Sequence, residues 1–181
     1  MSNVANPSGR GKVIRDSVHG QIRIDPEDRF LLELIDTPEF QRLRRVRQLG
    51  VSGLTYPGAE HSRFAHSLGV MNFAQRIMAK LKARYRHDST ATDILAQHER
   101  VVKAAALIHD VGHGPYSHMM ERAFPVFADH EWKTSELIRS SDSKINEVLS
   151  RHNISPQSVC DIIDKASEHR LLVDVRCQQP A

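Results

Sequence analysis

Apolar residues recur at three- and four-residue steps along most of this chain, and only near its amino end does the spacing shorten toward two. Val13-Ile14 and Ile22-Arg23-Ile24 flank Asp16-Ser17-Val18-His19-Gly20, a pattern that predicts a short β-hairpin with Gly20 supplying the turn. Beyond Pro26, Phe30, Leu31, Leu34 and Ile35 share one helical face, and Thr37-Pro38 reads as the N-cap and first position of a second helix. That second helix carries Phe40, Leu43 and Val46 or Arg47 and is expected to stop near Gly50. Residues 51–60, with Gly53, Pro57 and Gly58, read as a loop. Leu68, Met71, Ala74, Ile77, Met78 and Leu81 then predict a long amphipathic helix over about 65–84. His87-Asp88-Ser89-Thr90 breaks it, and a further helix is expected over about 91–110, ended by Gly112, Gly114 and Pro115. Shorter helices are expected over roughly 116–123, 130–140, 144–151 and 156–167, with no internal repeat or low-complexity tract. The fold class is all-α with a small N-terminal β-hairpin.

Composition narrows the setting. With 181 residues, 40% hydrophobic and 26% charged, the chain can bury one proper core. No apolar run approaches the roughly 18 residues a bilayer demands, and Met1–Arg10 lacks the apolar centre of a signal peptide, so no membrane partner is expected. Cys160 and Cys177 make neither a disulfide framework nor a thiolate metal cluster, which favours a reducing cytoplasm. A formal charge of +3 permits anionic partners without requiring them. Residues 1–11 are expected to be a disordered arm, residues 12–175 the folded domain and 176–181 a tail.

The chemistry concentrates at His109-Asp110, which closes the run Val101-Val102-Lys103-Ala104-Ala105-Ala106-Leu107-Ile108. An imidazole and a carboxylate at the end of a buried helix form a candidate metal site. His109 and His113 stand four residues apart, but Gly112 reads as a C-cap and Gly-His-Gly-Pro cannot continue a helix, so His113 is expected to swing away from that face. Because neighbouring helical residues point about 100° apart, His109 and Asp110 can share an ion only at the helix end, with a ligand from a second helix. His66 is the obvious donor. Nitrogen and oxygen ligands without thiolate suit a divalent Mn, Fe, Ni, Co, Zn or Mg ion. On these residues alone the alternative stands equal: His66 caps its helix, and His109-Asp110 is a hydrogen-bonded buried pair.

Five blocks extend the pattern. They are Lys12-Val13-Ile14-Arg15-Asp16-Ser17-Val18-His19-Gly20; Asp36-Thr37-Pro38-Glu39-Phe40-Gln41-Arg42-Leu43-Arg44; Gln48-Leu49-Gly50; Pro57-Gly58-Ala59-Glu60-His61-Ser62-Arg63-Phe64-Ala65-His66-Ser67-Leu68-Gly69-Val70; and His109-Asp110-Val111-Gly112-His113-Gly114-Pro115-Tyr116-Ser117-His118. In that order the chain resembles the HD-domain deoxynucleoside triphosphate triphosphohydrolases, in the branch of the sterile-alpha-motif and HD-domain protein and its bacterial relatives. The resemblance implies the helical HD fold, with His66, His109 and Asp110 as three of four metal ligands. The family's fourth ligand is an aspartate in a later segment like Asp-x-Asp-(Arg/Lys)-x-Asp-Tyr, which this sequence lacks. The HD domain therefore reads as incomplete at its C-terminus. Asp174 is a candidate substitute and Asp161 or Asp164 weaker ones, although each also reads as a solvated carboxylate.

The same resemblance assigns further roles. Arg63 matches a phosphate-contacting arginine, against the commoner fate of a surface salt bridge. His113, His118 and His130 match histidines that hold phosphate oxygens or donate the proton to the leaving group, and Glu121 and Glu131 match acids that orient them. Gln48 and Leu49 match a deoxyribose pocket. Lys12, Asp36, Gln41 and Arg44 match an activating guanine-nucleotide site at a subunit interface, whereas Arg42, Arg44, Arg45 and Arg47 taken alone read as a solvated face or a track for a nucleic-acid backbone.

The activity implied is metal-dependent dNTP triphosphohydrolysis, yielding deoxynucleoside and triphosphate. Two alternatives stand beside it. One is an HD phosphohydrolase acting on another phosphate ester; the other is a non-catalytic or weakly active truncated domain that binds nucleotide, single-stranded nucleic acid or a second copy in a homo-oligomer. A three-ligand site predicts weak metal binding, and exposed apolar surface on the 65–84 and 91–110 helices.

Overall fold

The structure is a computed structural model that describes residues 11–116 and 130–164, with the side chain of His130 excluded. The expected disordered arm, the 116–123 helix, His118, Glu121, Asp174, Cys177 and the tail lie outside these residues, apart from Gly11 and Tyr116.

Two strands come first, β1 (Lys12–Asp16) and β2 (Gly20–Ile24), paired antiparallel from Lys12 opposite Ile24 to Asp16 opposite Gly20. The turn closes as its chemistry predicts. Asp16 Oδ1 accepts the backbone N–H groups of Val18 and His19, and Gly20 takes a φ of 70° that a side chain would resist. His19 then docks on the first long helix where Gly69 has no side chain; a Cβ there would come within 2.3 Å of its Nε2.

Helix α1 (Arg29–Ile35) buries Phe30, Leu31, Leu34 and Ile35, the face expected from their spacing. Thr37 caps α2 (Pro38–Gln41) by accepting from Phe40 N. This second helix is shorter than its apolar spacing suggests. It tightens to a 3-10 turn over Arg42–Arg45 and ends, because Val46 turns extended and the chain pairs across to residues 61–63: Arg63 N donates to Val46 O and Gln48 N to His61 O.

The centre is the antiparallel pair α3 (Arg63–Arg84) and α4 (Ser89–Ile108), capped at their starts by Ser62 and Asp88. Leu68, Met71, Ala74 and Met78 of α3 share one buried core with Val102, Ala105 and Leu107 of α4, and the small residues Ala104, Ala105 and Ala106 let neighbours approach closely. A fully buried side chain such as Met71, Met78 or Leu107 contributes about 1.5–3 kcal/mol relative to exposure. Helices α5 (His130–Arg139), α6 (Lys144–Arg151) and α7 (Pro156–Ile163) complete the described fold, α7 packing on α4 and α5. The exposed apolar surface expected on α3 and α4 is not found. Among the described residues the large exposed apolar side chains are on the hairpin, the 49–56 loop, Tyr116 and Trp132. No helix among these residues is long and apolar enough to cross a membrane.

Candidate metal centre

Two helix ends meet at the site. Ser62 accepts Ala65 N at the start of α3, so the capping role is already filled and His66, one turn in, is left to face its neighbour. Helix α4 ends at Ile108, with His109 in the C-cap position and Asp110 just beyond. The expected glycine C-cap is absent: Gly112 does not take a left-handed conformation, and the exit is made by i to i−3 bonds, Val111 N to Ile108 O and His113 N to Asp110 O. This turn also corrects the expected path of His113. Instead of swinging away, His113 is buried and its Nε2 stands 3.4 Å from Asp110 Oδ1.

His66, His109 and Asp110 each offer one donor atom, all within 4.8 Å of one another. Donors in adjacent positions about 2.1 Å from an ion stand ~3 Å apart, close to the 3.2 Å between His109 Nε2 and Asp110 Oδ1. His109 Nδ1 lies 3.0 Å from Ala106 O, which fixes the tautomer with the proton on Nδ1 and leaves Nε2 as the donor, 3.2 Å from Asp110 Oδ1. Asp110 divides its two oxygens. Oδ2 accepts from Arg63 Nη1 at 2.8 Å, while Oδ1 faces the two imidazoles of His109 and His113.

The electrostatics suit a cation. Burial pushes the His66 imidazole down to about 4, against the pull of Asp110, so it is neutral and its lone pair is available at ordinary pH. For Asp110, burial favours the neutral acid, but His109, His113 and Arg63 outweigh it and hold the carboxyl well below the usual range. Two imidazole nitrogens, that of His66 neutral, and one ionised oxygen fit a divalent ion of the borderline or hard kind.

Other expected residues fall in distinct places. Arg63 is buried and paired with Asp110, not a surface salt bridge. Gln48 buries its Oε1 with no hydrogen-bond partner among the described residues, whereas Leu49 is exposed and does not join the core. Glu131 is exposed in the first turn of α5. Asp161 accepts from Gln157 and Asp164 accepts from Ser135, so these two carboxylates serve local contacts. Lys12, Asp36, Gln41 and Arg44 line one cavity of about 490 Å³, between the hairpin, α1 and the start of α3. There Gln41 Nε2 donates to Ile35 O, Arg44 Nε donates to Gln41 Oε1, and the Arg44 guanidinium lies 3.5 Å over the Phe64 ring.

Sequence reading missed two contacts to the turn after α4. Arg42 leaves the solvated face assigned to it and donates to the carbonyls of His113 and Val111. Thr134 of α5, fully buried, accepts from Gly112 N and donates to His109 O. Neither residue carries a local signal, since both act through backbone groups far away in sequence.

Residues 63–174 match the HD domain, a span that starts at the first residue of α3 and takes in all three donors. The chain belongs to the HD-domain family. Over 181 aligned residues, 97% of this HD chain is 39% identical to the uncharacterised protein YwfO of Bacillus subtilis, of which it covers 39%. It is 40% identical over 152 residues to the deoxynucleoside triphosphate triphosphohydrolase SAMHD1 of Gallus gallus, covering 79% of this chain and 24% of that protein. The chain thus spans well under half the length of these relatives. Among solved structures, a phosphohydrolase of Bacteroides thetaiotaomicron superposes with a TM-score of 0.71 at 30% identity, covering 92% of this chain and 38% of that one.

Proposed function

We propose that this HD domain is a divalent-metal phosphohydrolase acting on deoxynucleoside triphosphates, with deoxynucleoside and inorganic triphosphate as products. The observation that carries the reading is the convergence of His66, His109 and Asp110 beside the buried cation Arg63. The similarity to SAMHD1 proteins and to a phosphohydrolase structure supports the substrate class and the reaction type.

His66, His109 Nε2 and Asp110 Oδ1 would hold the ion; when bound it supplies Lewis acidity and lowers the pKa of a coordinated water. Arg63 keeps Asp110 turned so that Oδ1 meets the imidazoles, and its charge sits where substrate phosphates would gather. His113, whose Nε2 faces Asp110, would hold a phosphate oxygen or move a proton, a role shared in this reading with His118 and His130 and oriented by Glu121 and Glu131. The unpartnered Gln48 Oε1 is an acceptor for a sugar hydroxyl, with Leu49 as the apolar wall beside it. Asp174, the last residue of the family match, is the carboxylate this reading assigns as fourth ligand.

A second reading concerns the cavity lined by Lys12, Asp36, Gln41 and Arg44, which this proposal assigns to a guanine nucleotide bound between copies of the chain. Asp36 is the acceptor for the guanine edge, and the cations answer its phosphates.

The deciding experiment supplies purified protein with each dNTP and a series of divalent ions and identifies the products. Deoxynucleoside together with intact triphosphate supports the proposal. Orthophosphate or pyrophosphate release would overturn it in favour of another phosphate ester bond, and no turnover with any metal would favour a binding role.

A further inference from the structure

The turn that carries Asp110 and His113 is not secured by helix hydrogen bonding, because α4 ends at Ile108 and the next bonds span only three residues. Four backbone groups in this turn are instead held by two side chains from other elements. Thr134 approaches from α5, accepting Gly112 N at 3.0 Å and donating to His109 O at 3.2 Å. Arg42 approaches from the 3-10 turn after α2, donating from Nη1 to His113 O at 2.7 Å and from Nη2 to Val111 O. The two grips alternate along the chain: Thr134 on residues 109 and 112, Arg42 on residues 111 and 113.

The chemistry of each side chain suits the task. A helix end leaves carbonyls without partners and carries partial negative charge, so a guanidinium there both donates and neutralises. Its planar fork spans two carbonyls at a fixed separation, which the single ammonium of lysine cannot do. Burial lowers the Arg42 guanidinium's affinity for its proton, with Glu39 opposing, so its position is costly unless the carbonyls use the charge. Thr134 is fully buried, and its one hydroxyl is used in both directions, as donor and as acceptor.

We propose that Arg42 and Thr134 are positioning residues for the HD metal site: together they fix the backbone of the His109 to His113 turn, and through it the rotation of Asp110 and His113 toward the ion. The proposal rests on the reading of His66, His109 and Asp110 as metal ligands. It adds two residues outside the metal and substrate contacts, one of them on the same 3-10 turn as Arg44 of the neighbouring cavity.

The test uses the full chain and the variants Thr134→Val, Thr134→Ser, Arg42→Met and Arg42→Lys, each checked for cooperative unfolding. Two quantities are read. One is amide hydrogen exchange in the peptide covering residues 109–114, with a peptide of α6 as the control. The other is Co²⁺ affinity and its visible absorption band, which reports ligand geometry. Thr134→Val, nearly isosteric, should speed exchange in the turn alone, weaken Co²⁺ about ten- to a hundredfold and move the band. Thr134→Ser, which keeps the hydroxyl, should restore both. Arg42→Met should act like Thr134→Val, and Arg42→Lys should fall between it and the parent. If Arg42→Met fails to fold, Arg42→Lys and Thr134→Val decide. Unchanged turn exchange and unchanged Co²⁺ affinity in Thr134→Val and Arg42→Lys would overturn the proposal, as would equal acceleration in the α6 peptide. A parent protein that takes no Co²⁺ would defeat the metal reading separately, and the proposal with it as far as the ion is concerned; faster exchange confined to the turn would then still establish the clamp on the backbone.

Discussion

His113 leaves helix α4 and returns to the residue three before it, its Nε2 standing 3.4 Å from Asp110 Oδ1 while Asp110 Oδ2 accepts from Arg63. One carboxylate thus organises an arginine and two imidazoles. Removing it and removing His113 should have different consequences. Asp110→Asn takes away the single ionised donor of the triad, so metal content after dialysis should fall to background and turnover with it. His113→Gln keeps every donor; metal should remain, with turnover reduced about ten- to a hundredfold. Metal analysis beside a product assay checks both, and a His113→Gln protein as empty as Asp110→Asn would show that His113 itself is a ligand.

The burial of His66 sets a pH dependence in the metal-free protein. Its folded pKa is lowered to about 4, with burial the chief cause, from an unfolded value near 6.5. Between those values the unfolded chain binds more protons, so stability rises with pH there. The contribution is fully present above pH 6.5 and is lost as pH falls toward 4. Melting curves in chelator across pH 4–7 should show this slope, and His66→Gln should flatten it. A His66→Gln protein with the parental slope would assign the effect to other histidines.

Much of this was legible in the sequence, and what was not has a common cause. The hairpin and the long helices α3 and α4 follow from local signals, turn residues and helical spacing, whereas the convergence of His66 with His109-Asp110 was implied by the resemblance of five sequence blocks, the residues alone leaving it level with a hydrogen-bonded pair. The second helix was overestimated because Val46 continues its apolar period, yet it pairs with the chain at Arg63, a contact between segments. The same holds for His113. The helix does end ahead of its glycines, at Ile108, but the direction of exit is set by Arg42 and Thr134, which lie 71 and 22 positions from the groups they hold. Arg42 looked like one of four solvated arginines, and only the folded chain distinguishes it from exposed Arg44, Arg45 and Arg47.

Lys103 is a charge inside the α4 core, 2.6 Å from Asp28 Oδ2 and 3.0 Å from Glu99 Oε1. Burial alone would lower its pKa, but hydrogen bonds to Asp28 and Glu99 prevail and raise it. Lys103→Met removes one partner and strands Asp28, which is 5% exposed, so it should cost about 3–5 kcal/mol in urea unfolding. The double variant Lys103→Met, Asp28→Leu should recover much of that loss, because no buried charge is left uncompensated. Additive losses in the double variant would mean that the two residues do not act as a pair.

The cavity of about 490 Å³ supplies the last prediction. Arg44 lies over the Phe64 ring at 3.5 Å and donates to Gln41 Oε1, so both its face and its edge are held, and Gln41 is fixed in turn through Ile35 O. A guanidinium ordered in this way loses little further entropy on meeting a phosphate. Lys12, from β1, brings a second cation to the same space, and Asp36 an acceptor. A fluorescent guanosine triphosphate should therefore bind the parent protein, and Arg44→Ala should weaken it about tenfold, equal to ~1.4 kcal/mol. Asp36→Asn should act on selectivity, narrowing the preference for guanine over adenine while leaving the salt dependence intact, because the carboxylate meets the base and not the phosphates. Lys12→Ala should do the reverse, weakening both nucleotides and flattening the salt dependence. Titrations at two salt concentrations separate these cases. Equal affinity for guanosine and adenosine triphosphates in the parent, untouched by Asp36→Asn, would reduce the cavity to a general anion site and remove the assignment of a guanine nucleotide.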